Sequence, residues 1–190
     1  NAARMTTGAT AAIVGCGGVG LNALLAARML GAERLVAIDL NDRKLEKARQ
    51  LGASDTFNAT DPKCVENVRD STSGGLNYVF EAAGAVEAMD IAYRITKRGG
   101  TVTSVGLSHP ETSFSLQHVN LVVEEKTVKG CYLGSCVPVR DIPRFIGFYK
   151  RGLLPVDQLI TGRLPLDRIN EAFDRIDEGK ELRQLIIFEN

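Results

Sequence analysis

Up to about residue 138, short apolar runs alternate with stretches whose apolar residues recur at helical spacing. The runs are AAIVG (11–15), LVAID (35–39), DTFN (55–58), NYVFEAA (77–83), GTVTSVG (100–106) and KTVKGCYL (126–133), each of strand length and composition. Between them, residues 19–30, 42–51 and 85–96 carry apolar positions three and four apart, as amphipathic helices do. Gly31 and Gly52 follow the first two helices, each succeeded by alanine, where a left-handed stop is natural. Near-continuous apolar strands joined by crossover helices predict an α/β protein with a doubly wound, parallel six-stranded sheet covered on both faces.

The rhythm then changes. A helix is expected over 139–151, a strand over 159–164 (LITGRL), a helix over 167–178 and a last strand over 183–188 (RQLIIF). Four of the six prolines, Pro138, Pro143, Pro155 and Pro165, fall here, which suits a chain leaving one compact unit to pack on another. The expected division is a sheet domain over 1–140 and a C-terminal segment over 141–190. The chain opens on Asn1 with only about ten residues before the first strand, which points to a piece of a longer chain.

Composition removes several partner classes. A formal net charge of zero with no long basic run argues against nucleic acid. No apolar run approaches the roughly 20 residues that cross a bilayer, and the opening NAARMTTGAT lacks the apolar core of a signal peptide. The four cysteines, Cys16, Cys64, Cys131 and Cys136, form no CxxC pair, so no structural zinc site is expected within this chain. Unpaired thiols suit a reducing compartment, and the expected location is the cytoplasm.

Between the first predicted strand and helix, Gly15, Gly17 and Gly20 satisfy G-x-G-x-x-G. The first glycine permits the tight turn, the second lets backbone approach a pyrophosphate, and the third lets helix and strand pack closely, as in the Rossmann fold. Free N–H groups at the helix start then face the anion, and Gly18 adds another position without a side chain. Asp39 ends the second strand, nineteen residues beyond Gly20, where a carboxylate accepts hydrogen bonds from an adenosine ribose. The same charge repels a 2′-phosphate, so NAD is preferred to NADP, although Arg43 and Lys44 nearby keep the second option open. A plain tight turn with Asp39 capping the next helix, and a methyltransferase site, are weaker accounts of the same residues.

With these residues in place, the sequence resembles the coenzyme-binding part of the medium-chain, zinc-type alcohol dehydrogenase family. The resemblance runs over nearly the whole chain, through GCGGVGLNALLAARMLGAERLVAIDLNDRKLEKARQLGA, FEAAG, GGTVTSVGL, TVKGCYLGS and LPLDRINEAFDRIDEGKELRQLIIF. It implies that Cys16, Gly17, Gly18, Val19, Gly20 and Leu21 wrap the pyrophosphate, with Gly15 completing the cofactor-binding turn, and that Asp39 and Lys44 hold the adenosine ribose. It further implies that Val105, Gly106 and Leu107 border the nicotinamide ribose, and that Arg183 reaches the pyrophosphate from the tail. The family's reaction is reversible hydride transfer between an alcohol and the nicotinamide ring, with a zinc ion on two cysteines and a histidine binding the substrate oxygen. The family's zinc ligands have no counterpart among the four cysteines here, so this chain is expected to bind NAD without turnover while the parent enzyme takes an alcohol or aldehyde. No catalytic residue is therefore assigned within it.

Other residues invite chemistry less strongly. Glu81 closes the fourth predicted strand, with a helix cap or a loop anchor preferred over an acid or base. His109 and His118 read as solvated or packing residues, Cys131 and Leu133 as pocket lining or core, and Glu124, Glu125 and Lys126 as a charged helix end. The sixth strand is a sheet edge, and a homodimer formed there is expected, with a tetramer as the next option. Two further functions stay open: a zinc-free quinone or enone reductase relative using NADPH, disfavoured by Asp39, and a stand-alone NAD-sensing or interaction module.

Overall fold

The computed structural model describes residues 1–179 and 181–188. Six parallel strands form one sheet: β1 (Thr10–Val14), β2 (Arg34–Asp39), β3 (Asp55–Asn58), β4 (Leu76–Glu81), β5 (Thr96–Ser104) and β6 (Thr127–Gly130). Their spatial order is β3-β2-β1-β4-β5-β6, so the chain reverses direction across the sheet between β1 and β4 and leaves a crevice beyond the strands' carboxyl ends. The doubly wound α/β architecture expected from the apolar pattern is the one observed.

Alternate residues of each strand explain why both faces are covered. Ala11, Ile13, Leu35 and Ala37 point to one side, where Leu21, Leu24 and Leu25 of α1 (Gly18–Met29) and Leu45 and Ala48 of α2 (Asp42–Gln50) bury them. Ala12, Val14, Val36 and Ile38 point to the other, against Cys64 and Val68 of α3 (Cys64–Ser71) and Ala88, Met89 and Ala92 of α4 (Val86–Ile95). Leu24 is fully buried, and truncating such a side chain to alanine costs about 2–5 kcal/mol. Gly31 and Gly52 do end α1 and α2 in the left-handed region, with φ of 79° and 107°.

Several boundaries differ from the sequence reading. The reading named no helix between the third and fourth strands, yet α3 is there; only Cys64 and Val68 of its eight residues are buried, too short a stripe to register as periodic. β5 begins at Thr96 rather than 100, because an irregularity intervenes: Leu76 pairs with Thr96 but Tyr78 pairs with Thr101, and Gly99 lies between at φ 70°. β5 also stops at Ser104, which places Val105, Gly106 and Leu107 in the loop beyond it. β6 is four residues long, not eight, since β5 offers no partner past Ser104. A short helix, α5 (His118–Val123), precedes β6.

The tail forms α6 (Pro138–Lys150), a 3-10 turn over Val156–Leu159, β7 (Gly162–Pro165), α7 (Ile169–Asp177) and β8 (Gln184–Ile187). β7 and β8 pair with each other in parallel, apart from the main sheet. Leu159, fully buried, joins the core beneath α1, with Leu154 and Leu182 packed against it. Asp141 anchors α6: its carboxylate reaches back to the Val137 N–H (2.9 Å) and accepts both Arg140 nitrogens (2.9 Å each) and the Asn1 amide (3.3 Å). The Arg140 guanidinium first, and then the Val137 N–H, hold the Asp141 carboxyl well below the usual carboxylate range.

Candidate functional site

The turn joining β1 to α1 fits only glycine at two of its three motif positions. Gly15 sits at φ 95°, and a Cβ there would stand 2.7 Å from the Ala83 nitrogen. A Cβ on Gly20 would lie 1.8 Å from the Gly15 carbonyl oxygen, so this glycine lets α1 close onto the turn. Gly17 differs, because a Cβ there would meet no protein atom within 4 Å. Internal packing does not require glycine at this position, and the space in front of it belongs to the crevice. Gly17 caps α1 and receives the Leu21 N–H at 2.9 Å, which leaves the preceding N–H groups of the first turn without intrahelical partners.

Asp39 at the end of β2 is tied to this turn. One carboxylate oxygen accepts the Cys16 N–H at 2.6 Å and the other accepts the Asn41 N–H at 2.9 Å. Each oxygen keeps a further lone pair for a ligand. The Cys16 N–H is thus engaged within the protein, and its thiol points into the core, donating to the Ile38 carbonyl at 3.7 Å. Burial, reinforced by the nearby Asp39 charge, pushes the Cys16 thiol up to about 12, so it is neutral throughout the physiological range. Leu21 is also fully buried, whereas Val19 is 63% exposed at the helix start.

Gly15, Gly17, Asp39 and half-buried Lys44 line one cavity of about 550 Å³. Its apolar walls include Leu40, Ala59, Ala82 and Ala83, and Glu87 stands at its α4 side. Leu40, 69% exposed on a loop, is an apolar platform open to solvent. Asn58 braces that loop by donating to the Leu40 carbonyl (3.3 Å) and the Asp42 carboxylate (2.7 Å). The wall residues come from four separate segments and were not singled out in the sequence; the FEAAG landmark contained Ala82 and Ala83, while a lone apolar residue after Asp39 was the available signal for Leu40.

Glu81 anchors the neighbouring loops. It is 2% exposed, and one oxygen accepts the Ala83 and Gly84 N–H groups (2.8 and 2.6 Å) while the other accepts the Ser104 hydroxyl (2.7 Å). Its backbone carbonyl receives the Val105 and Gly106 N–H groups. Gly106 borders a second cavity, of about 210 Å³, beside Glu81 and Gly84, and Leu107 is 80% exposed beyond it. A Cβ on Gly106 would be 2.2 Å from the Gly84 nitrogen, so the two loops touch through backbone.

Arg183 lies outside both cavities, exposed just before β8. The adjacent Leu182 carbonyl is 3.4 Å from where a Cβ on Gly18 would stand, which brings the tail to the start of α1. His109 stabilises its own turn, accepting the Glu111 N–H at Nδ1 and the Thr112 N–H at its carbonyl. Among the described residues, no group of three or more His, Cys, Asp or Glu side chains is arranged to hold a metal ion. None of the helices among the described residues is long and apolar enough to cross a membrane.

Residues 18–151 match the family described as zinc-binding dehydrogenase. The chain is 35% identical over 99% of its length to alcohol dehydrogenase class-2 isozyme 2 of Oryctolagus cuniculus, covering 50% of that protein. It is 37% identical over 96% of its length to alcohol dehydrogenase 3 of Hordeum vulgare, covering 49% of it. Among solved structures, benzyl alcohol dehydrogenase from Acinetobacter calcoaceticus superposes with a TM-score of 0.95 at 31% identity, over 100% of this chain and 52% of that one. The chain spans about half the length of the curated relatives it matches.

Proposed function

The chain belongs to the medium-chain, zinc-type alcohol dehydrogenase family, and from that premise we propose that it binds NAD and presents the nicotinamide for hydride transfer in an alcohol dehydrogenase. The carrying observation is the open position of Gly17 in the same cavity as Asp39. In this reading Gly15, Gly17, Gly18, Val19 and Gly20 wrap the pyrophosphate through backbone. Cys16 and Leu21 act indirectly, Cys16 by fixing Asp39 and Leu21 by seating α1 in the core. Asp39 accepts from the adenosine ribose and Lys44 supports it from α2. Val105, Gly106 and Leu107 border the nicotinamide ribose, and Arg183 pairs with the pyrophosphate from the tail.

The reaction proposed for the whole enzyme moves a hydride from the alcohol carbon to the nicotinamide ring and releases the hydroxyl proton, giving aldehyde or ketone and NADH. Bound zinc supplies Lewis acidity toward the substrate oxygen in such enzymes. The four cysteines do not match the family's ligand pattern, so we assign the zinc ligands to the rest of the enzyme. We assign residues 1–140 to the nucleotide domain and 141–190 to a segment that packs on the rest of the enzyme. A cytoplasmic homodimer joined along β6 completes the proposal.

Calorimetric titration with NADH and NADPH tests it. Saturable NADH binding, tighter than NADPH, is expected, together with background oxidation of primary alcohols by this chain alone with zinc added. Absence of NADH binding overturns the cofactor reading, and genuine turnover overturns the division of labour.

A further inference from the structure

We infer that Thr161 is a positioning residue that sets Arg183 against the cofactor's pyrophosphate, an inference that rests on the NAD-binding reading above. The Thr161 hydroxyl donates to the Arg183 carbonyl at 3.1 Å and accepts the N–H groups of Leu182 at 3.0 Å and Arg183 at 3.2 Å. A hydroxyl has one proton to give and two lone pairs to offer, so its capacity is filled by these two residues. The Thr161 N–H also donates to the Arg183 carbonyl at 2.8 Å.

These bonds do something strand pairing does not. The β7–β8 register begins at Gly162 opposite Gln184, which leaves Leu182 and Arg183 outside the ladder. Two strands alone make a marginal sheet whose ends fray. Thr161 extends the order one step beyond that end, and it does so at the place where the tail meets the start of α1. The Leu182 carbonyl lies within 3.4 Å of the side-chain direction of Gly18, so fixing the peptide between Leu182 and Arg183 fixes the root of the arginine beside the helix N-terminus. Arg183 is exposed, and without the clamp its long side chain would spend its reach over many directions. β-branching at Thr161 further restricts the rotamer that offers the hydroxyl. The residue therefore acts on the cofactor through Arg183 and has no contact with it of its own.

Thr161→Val, Thr161→Ser and Arg183→Ala, with the double variant Thr161→Val/Arg183→Ala, test this by titration with NADH and with adenosine, which lacks the pyrophosphate. The expected result is NADH binding weakened about three- to tenfold by Thr161→Val, a shift about the size of one net hydrogen bond, because the three lost bonds reach the cofactor only through Arg183. Thr161→Ser should restore it, adenosine binding should be unchanged, and Thr161→Val should add nothing once Arg183 is alanine. Weakening of NADH and adenosine alike, or an undiminished effect in the Arg183→Ala background, marks a general structural loss and overturns the inference. So does wild-type NADH affinity in Thr161→Val when Arg183→Ala is weakened. An Arg183→Ala variant with wild-type affinity instead overturns the placement of Arg183 at the pyrophosphate, and the inference with it.

Discussion

The carboxylate of Asp39 accepts the backbone N–H of Cys16 at 2.6 Å, so the end of β2 and the glycine turn after β1 are held as one unit. The charge that would discriminate between dinucleotides is thereby fixed before any ligand arrives. That preorganisation means selectivity and local stability share a residue, and the two are separable by measurement.

Asp39→Gly removes the carboxylate proposed to accept from the ribose and to repel a 2′-phosphate. NADH affinity should fall about tenfold, the loss of one charge-assisted bond, while NADPH affinity holds or rises. Equal affinities for the two cofactors in the unaltered chain would defeat the argument. Thermal unfolding should also report about 1–3 kcal/mol lost, because the Cys16 N–H and Asn41 N–H lose their acceptor.

The motif glycines should separate into two classes. Gly17→Val places its side chain in open space and should leave the melting temperature nearly unchanged while abolishing measurable NADH binding. Gly20→Ala drives a methyl group into the Gly15 carbonyl and should cost about 1–3 kcal/mol or more, since backbone has to shift. Paired melting curves and titrations check both halves.

Cys16 should contribute an alkaline limb to stability. Its thiol stays protonated in the fold up to about 12, whereas the unfolded chain loses that proton near the ordinary thiol value of 9.0. Above that pH the unfolded state binds fewer protons, so stability is complete below it and declines as pH rises toward the folded value, by at most about 1.4 kcal/mol per pH unit. Urea titrations between pH 8 and pH 11 should show a shallower decline in Cys16→Ala, even though that variant starts from lower stability. Parallel slopes would dismiss the thiol as the source.

Glu81→Gln should behave as a structural lesion. Replacing one acceptor oxygen with an amide donor sets it against the Ala83 and Gly84 N–H groups or the Ser104 hydroxyl. A loss of about 2–3 kcal/mol is expected. Hydrogen exchange should quicken at residues 82–84 and 105–106 ahead of the rest of the sheet. Unchanged exchange there would show that the carboxylate does not brace the loops.

Glycine spacing and Asp39 were legible in the sequence because both depend on local constraints: a turn without room for Cβ and an acid at a strand's end. The alternation along β1 and β2 was legible for the same reason, since burial on both faces leaves no polar position between. The α3 helix escaped because two buried residues do not make a period. The start of β5 escaped because its irregular pairing is a property of the neighbouring strand. Leu40, Ala59 and Glu87 become neighbours only once the chain has crossed the sheet, and nothing near them in sequence announces a shared wall.

Backbone contact between Gly84 and Gly106 has a consequence for inheritance and for engineering. Neither loop can gain a side chain at its point of contact without displacing the other, so the two segments form a single exchangeable cassette. Transplanting residues 82–86 from a relative to alter the cavity wall opposite Asp39 should succeed only when residues 104–108 travel with them. A recombination boundary falling between β4 and β5 would separate pieces that fit only each other.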